Sequence, residues 1–304
     1  MIKEAAKDIK DDEVDQVDPI FQELRQNFLD GKTQDLSFRK SMLQCVIRGV
    51  EELEKEFLDA LHQDLRNDQA NGYIHNVMML KNEAKDCAAN LGKWTKPEKV
   101  PTPLSAWPGK TTIKPQARGV VLVLGSWNFP INSLGPFVSA LAAGNCVMIK
   151  PSEFSPATSR VMRKLFEKYL DKRYYRCIEG AVKTGIKLTS TPFDMICFTG
   201  STFTGKLIAK AASEHLTPLV LELGGKCPTI VDRSADIALA AKRIIAGKFA
   251  NCGQVCLAPD YVFVHREVVN TLVSEMKKQI ELQFGKDPKN NPNYSRLVHE
   301  VNKE

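Results

Sequence analysis

The sequence predicts an α/β fold: a doubly wound, Rossmann-like parallel sheet followed by a second, smaller α/β block. Three observations carry this. Short runs at 120–124, 146–149, 174–178 and 195–198 are apolar at nearly every position, as strands buried on both faces require. Helically spaced segments at 133–143, 156–171 and 203–213 alternate with them, which is the βαβ rhythm. Turn residues cluster where strands give way to helices, and the crevice beyond the carboxyl ends of parallel strands is where such folds bind ligands.

In chain order, residues 1–17 are rich in Lys, Asp and Glu and are expected as a flexible tail. They lack the apolar stretch of a secretory signal and the arginine bias of a transit peptide. Between Ser37 and Leu65, the apolar positions Leu43, Val46, Ile47, Val50, Leu53, Phe57 and Leu61 predict one long amphipathic helix. Val77, Leu80, Ala84, Cys87, Leu91 and Trp94 predict a second. The prolines of 96–110 predict an irregular arm. The alternating strands and helices follow, so 18–220 is read as N-terminal helices plus a dinucleotide-binding domain. A new block begins near Leu219, with strands at 219–223, 229–231 and 261–264 and helices at 235–249 and 268–284. Residues 221–304 are read as part of a second domain.

At 304 residues the chain has room for about two domains. A net charge of +6, with lysines and arginines scattered and no basic run interleaved with aromatics, speaks against nucleic acid as partner. No window approaches 18 consecutive apolar residues, so no membrane span is expected. The eight cysteines are widely spaced, mostly within apolar segments, which reads as reduced thiols in a cytoplasmic protein. Cys252 and Cys256 have no second ligand pair nearby, so no metal site is expected.

Five motifs carry chemistry. Gly200-Ser201-Thr202-Phe203-Thr204-Gly205 follows a strand and opens a helix, whose N–H groups can face a pyrophosphate; a plain strand-to-helix turn reads the same way. Lys150-Pro151-Ser152-Glu153 ends a strand and can hold ribose hydroxyls, or can be a turn before the cap Ser155-Pro156. Ser126-Trp127-Asn128-Phe129-Pro130 offers a side-chain amide to an oxyanion, or is turn chemistry. Glu222-Leu223-Gly224-Gly225-Lys226 puts a carboxylate at the end of an apolar run, as a general base or as the ion-pair partner of a nearby lysine. Asn251-Cys252-Gly253-Gln254-Val255-Cys256 places thiols in a loop, as nucleophile or as structural cysteine.

In this order and spacing, the five motifs resemble the aldehyde dehydrogenase superfamily. Gln254-Val255-Cys256-Leu257-Ala258-Pro259-Asp260-Tyr261-Val262 is most similar to its class 3, fatty and aromatic aldehyde branch. The resemblance implies that Cys256 is the nucleophile, Asn128 the oxyanion donor and Glu222 the base. It implies that Lys150, Glu153, Gly200 to Gly205, Trp127, Leu223 and Gly224 bind NAD, with NADP possible; the charge of Glu153 opposes a 2′-phosphate. It further implies a small-molecule aldehyde as substrate and a homodimer in the full-length family. The family's catalytic domain continues well beyond residue 304, so the resemblance implies a C-terminally truncated chain, an incomplete catalytic domain and apolar surface left open. Two alternatives remain: a shortened, catalytically impaired NAD-binding or structural subunit, and an esterase that uses the same thioester without hydride transfer.

Overall fold

A computed structural model describes residues 9–298. The expectation of a flexible tail over 1–8 lies outside the described residues. Residues 9–17, expected as part of that tail, are held. Asp11 accepts hydrogen bonds from the backbone N–H of Ala181, Lys183 and Thr184, and Glu13 accepts from Arg163 and the N–H of Glu179. Their carboxylates satisfy donors at the start of a helix, which composition alone does not reveal.

The helical layer comprises α1 (Val17–Leu29), α2 (Leu36–Glu52), α3 (Glu54–Leu65), the short α4 (Gln69–Gly72) and, after a π-helical turn, α5 (Met78–Trp94). The expected single helix over 37–65 is two. The chain bends at Leu53, where φ is −96° and ψ is 6°, and Phe57 and Leu61 stay in the core beyond the bend. Helical periodicity survives such a bend, because the apolar stripe continues on both sides of it. The proline-rich arm forms a two-residue antiparallel pair, β1 (Glu98–Lys99) with β2 (Thr112–Ile113).

Five parallel strands follow: β3 (Val120–Leu124), β4 (Cys146–Lys150), β5 (Tyr175–Cys177), β6 (Met195–Gly200) and β7 (Leu219–Leu223). Their order is β5-β4-β3-β6-β7, with Val120 opposite Cys146 and Leu124 opposite both Lys150 and Phe198. β3 and β4 are buried at every position, which explains their unbroken apolar runs. The connecting helices are α6 (Pro136–Ala142), α7 (Pro156–Tyr169), α8 (Val182–Thr189) and α9 (Thr202–Ser213). The strand that straddles the expected boundary at 220/221 pairs with β6 and extends this sheet.

The last block is a parallel pair, β8 (Cys227–Val231) and β9 (Pro259–Val264), with α10 (Ile237–Phe249) and α11 (Val269–Phe284) on one face. Its core is small: Val231, Ala241, Ile244 and Leu272. The opposite face leaves Ile230, Tyr261 and Phe263 exposed, an open apolar surface on β8 and β9 themselves. No helix among the described residues is long and apolar enough to cross a membrane.

Candidate active site

The sheet order decides what meets what. Going from β3 to β4 the chain moves to one side, and from β4 and β5 it returns to place β6 on the other side of β3. The carboxyl ends of β4, β3 and β6 are therefore adjacent at the switch point. The loops that leave them carry Lys150 and Glu153, Trp127 and Asn128, and the Gly200–Gly205 turn.

The Asn128 amide is oriented by its neighbours. The Ser126 hydroxyl donates to Asn128 Oδ1 at 2.6 Å, so the Nδ2 end points away and donates to the Gln254 carbonyl at 3.0 Å. An amide nitrogen has two hydrogens, and this bond uses one. Gln254 lies two residues before Cys256, whose side chain is exposed. Trp127, next to Asn128, is half-buried against the main core.

The third segment arrives from β7. Glu222 is exposed on that strand, and among the described residues its carboxylate makes no hydrogen bond or ion pair. Lys226, the nearest cation in sequence, is paired instead with Asp260 at 3.1 Å. Gly224 has open space around it. A Cβ added at Gly225 would lie 2.9 Å from the Cys256 carbonyl oxygen and 3.1 Å from Cys227 Sγ. The Cys227 thiol donates to that same carbonyl at 3.5 Å. The loop after Glu222 thus runs directly against the backbone of Cys256.

Four other cysteines are poor nucleophiles. Burial pushes the Cys146 thiol up to about 12, and burial together with Glu83 does the same to Cys87. Burial also raises Cys177 and Cys197. Since the thiolate is the reactive form, these side chains are inert beside an exposed thiol.

The dinucleotide candidates divide into two groups. Lys150 is buried, and its ammonium donates to Glu153 at 2.9 Å and to the Pro151 carbonyl at 3.1 Å, which leaves one of its three hydrogens. Ser201 caps α9, accepting from the N–H of Thr204 at 3.1 Å, and its hydroxyl donates to Thr204 Oγ1. Thr202 and Phe203 are the first residues of that helix, and Phe203 is 74% exposed. A Cβ at Gly205 would fall 2.8 Å from Leu223 Cδ2, so this glycine lets α9 pack on β7. At Gly200 a Cβ would strike the Phe198 ring at 2.3 Å. A close-packed helix start, a pinned lysine–carboxylate pair and adjacent strand ends fit a dinucleotide.

Sequence reasoning missed the frame around Cys256. Asn251 follows α10 in the left-handed region, with φ of 48°, and Cys252 and Gly253 remain there. Asn251 Nδ2 donates to the Asn128 carbonyl at 2.8 Å and sits 3.4 Å from the Gln254 carbonyl. The Gln254 amide donates to the carbonyls of Asn251 and Arg296, each at 3.0 Å, and accepts from the N–H of Val298. An Asn just past a helix end is a recognisable signal for a left-handed cap. The partner segment at 294–298 had none.

Two clefts, of about 370 Å³ and 580 Å³, lie elsewhere: one between Glu13, Arg163 and Arg176, the other between Asp68 and Asn291. They contain none of the motif residues, and the convergence of loops outweighs them as a guide to chemistry.

The fold and the loops define a dinucleotide-type α/β protein in which the Asn128 amide is bonded to the Gln254 carbonyl, two residues before the exposed Cys256. The profile of the aldehyde dehydrogenase family matches residues 3–304, and the chain belongs to that family. It is 40% identical to an aldehyde dehydrogenase of Craterostigma plantagineum over 279 residues, covering 91% of this chain and 58% of that protein. It is 38% identical to aldehyde dehydrogenase family 3 member A2 of Macaca fascicularis, with the same coverage of 91% and 58%. Among solved structures, substrate-bound AldH of Staphylococcus aureus superposes with a TM-score of 0.90 at 37% identity, over 93% of this chain and 62% of that one. An aldehyde dehydrogenase C variant of Pseudomonas syringae, at 24% identity and a TM-score of 0.79 over 88% of this chain and 54% of that one, shares the fold. The chain thus spans about six tenths of the length of the relatives it matches.

Proposed function

We propose that this chain carries the nucleophile, oxyanion donor and base of an NAD(P)-dependent aldehyde dehydrogenase that converts a medium- or long-chain aliphatic or aromatic aldehyde to a carboxylic acid. The observation that carries the reading is the meeting of three segments: the Asn128 amide on the Gln254 carbonyl, and the loop after Glu222 on the Cys256 carbonyl.

Cys256 Sγ adds to the aldehyde carbon. The oxyanion of the resulting thiohemiacetal takes the second Asn128 N–H and the backbone N–H of Cys256, donors fixed before charge develops. A bound nicotinamide supplies the hydride acceptor. Cys256 is left as a thioester. Glu222, without a partner among the described residues, then takes a proton from water, whose oxygen attacks the acyl carbon and releases the acid and the thiolate. Lys150 and Glu153 hold the adenosine ribose, and Gly200 to Thr204 with Trp127, Leu223 and Gly224 line the remainder of the cofactor path. The carboxylate of Glu153 opposes a 2′-phosphate, which favours NAD. The unpaired cysteines suit a reducing compartment, and we assign the protein to the cytoplasm. The homodimer is carried over from the family.

The test is NADH formation at 340 nm with octanal or benzaldehyde, together with mass mapping of an acyl group on Cys256. Turnover lost in Cys256→Ala supports the reading. An acyl adduct formed from an activated ester such as p-nitrophenyl hexanoate, with no NADH from either aldehyde, supports the esterase. NAD binding with Cys256 inert supports the nucleotide-binding subunit, which the small core of the β8–β9 block favours.

A further inference from the structure

We infer that Asn251 is a positioning residue that sets the oxyanion donor against the nucleophile loop. The inference rests on the acyl chemistry proposed above and assigns a role to a side chain that touches neither the thiol nor a reacting atom. The Asn251 amide lies between two carbonyl oxygens, that of Asn128 at 2.8 Å and that of Gln254 at 3.4 Å. Asn128 in turn donates its own side-chain amide to the Gln254 carbonyl at 3.0 Å. The two asparagines therefore clamp one another's segments. One bond holds the main chain of the donor residue, and the other holds the main chain of the residue two before Cys256.

Three features make the clamp specific. Asn251 is buried, so its two bonds are partly shielded from water. Two carbonyls facing one side chain demand a donor there, which fixes the amide orientation. Its Oδ1 is buried with no hydrogen-bond partner among the described residues, a cost the site bears while Nδ2 is placed. The backbone at φ 48° is one that Asn, Asp and Gly adopt more readily than other residues. Gln254 braces the same loop from behind, through Arg296 and Val298, and Arg296 donates its N–H to the Leu65 carbonyl of α3. The nucleophile loop is thereby tied to the β3 loop on one side and to the helical layer on the other.

The test compares two reactions at Cys256, each read by peptide mass mapping without cofactor. Acylation by p-nitrophenyl hexanoate passes through a tetrahedral oxyanion before p-nitrophenolate leaves. Alkylation by iodoacetamide displaces iodide at a saturated carbon and forms no oxyanion. Asn251→Asp keeps the shape and backbone preference but sets a carboxylate against two carbonyls. Asn251→Gly keeps the backbone and deletes the amide, and serves if the aspartate variant fails to fold. Either variant is expected to slow acylation roughly 10-fold while alkylation holds, since small misplacements of a donor carry losses of this order. Added to Asn128→Ala, either is expected to cost nothing more, because it acts through that donor. Equal losses in both reactions, additive losses in the double variant, or full acylation in the Asn251 variants while Asn128→Ala is slow would each overturn the inference. Full acylation in Asn128→Ala itself would overturn the oxyanion reading, and this inference with it.

Discussion

Gly225→Ala probes the approach of the loop after Glu222 to the backbone of Cys256. The added Cβ would lie 2.9 Å from the carbonyl oxygen of Cys256, whereas ordinary contact begins at 3.4 Å. The difference, about 0.5 Å, cannot be absorbed by a rotamer, because the obstructing atom is backbone. Either the loop that follows Glu222 or the loop that presents Cys256 must move by that amount. A misplacement of about 1 Å at a reacting centre can cost about 100-fold, so half of it is expected to cost roughly 10-fold, or about 1.4 kcal/mol of barrier. Overpacking adds a stability cost of about 1–3 kcal/mol, partly offset by the lower unfolded-state entropy of alanine. Gly185→Ala, in α8 with nothing within 4 Å of its added Cβ, controls for generic glycine replacement. The assay is the acylation rate of Cys256 by an activated ester, with urea unfolding in parallel. An unchanged rate in a folded Gly225→Ala protein would refute the argument that this loop presses on the nucleophile.

Other expectations follow from the same geometry. Glu222→Gln is expected to accumulate the Cys256 thioester, seen by mass, because deacylation loses its base while acylation does not; rapid clearance of the adduct would exclude Glu222 from that role. At pH 8, iodoacetamide is expected to label Cys256 well before Cys146 and Cys87, whose thiols burial pushes up to about 12; first labelling at either buried site would contradict the packing. Asp64 accepts from the N–H of Ala157 and Thr158 and from the Thr158 hydroxyl, capping α7 from the end of α3, so Asp64→Ala is expected to cost about 3–5 kcal/mol in urea unfolding. Burial raises the Asp64 carboxyl despite those bonds, so the native state binds its proton more tightly than the unfolded one. Its contribution to stability therefore falls as pH rises from about 3.9 through the raised native value, and a wild-type-minus-variant difference that grows over that window would reverse the sign.

Much of this was legible in the chain itself. β3 and β4 are buried on both faces, so their unbroken apolar runs had one reading as strands, and the turns between strands and helices marked the motif loops correctly. The bend at Leu53 was not legible, since an apolar stripe has the same period on either side of it. Nor was the anchoring of residues 9–17, because a charged segment reads as solvated until the donors it meets at 179–184 are known.

By itself, the sequence determined the alternation of strands and helices, the family and the candidates for the chemistry, because local periodicity and short motifs are properties of neighbouring positions. Only the tertiary structure decided that the Asn128 amide lies on the Gln254 carbonyl, that Gly225 rather than Gly224 presses on Cys256, and that Asn251 closes the clamp. Those contacts join residues more than a hundred positions apart, or a loop leaving β7 and a loop entering β9. Strand order in the sheet, which no local pattern encodes, sets the distance between them.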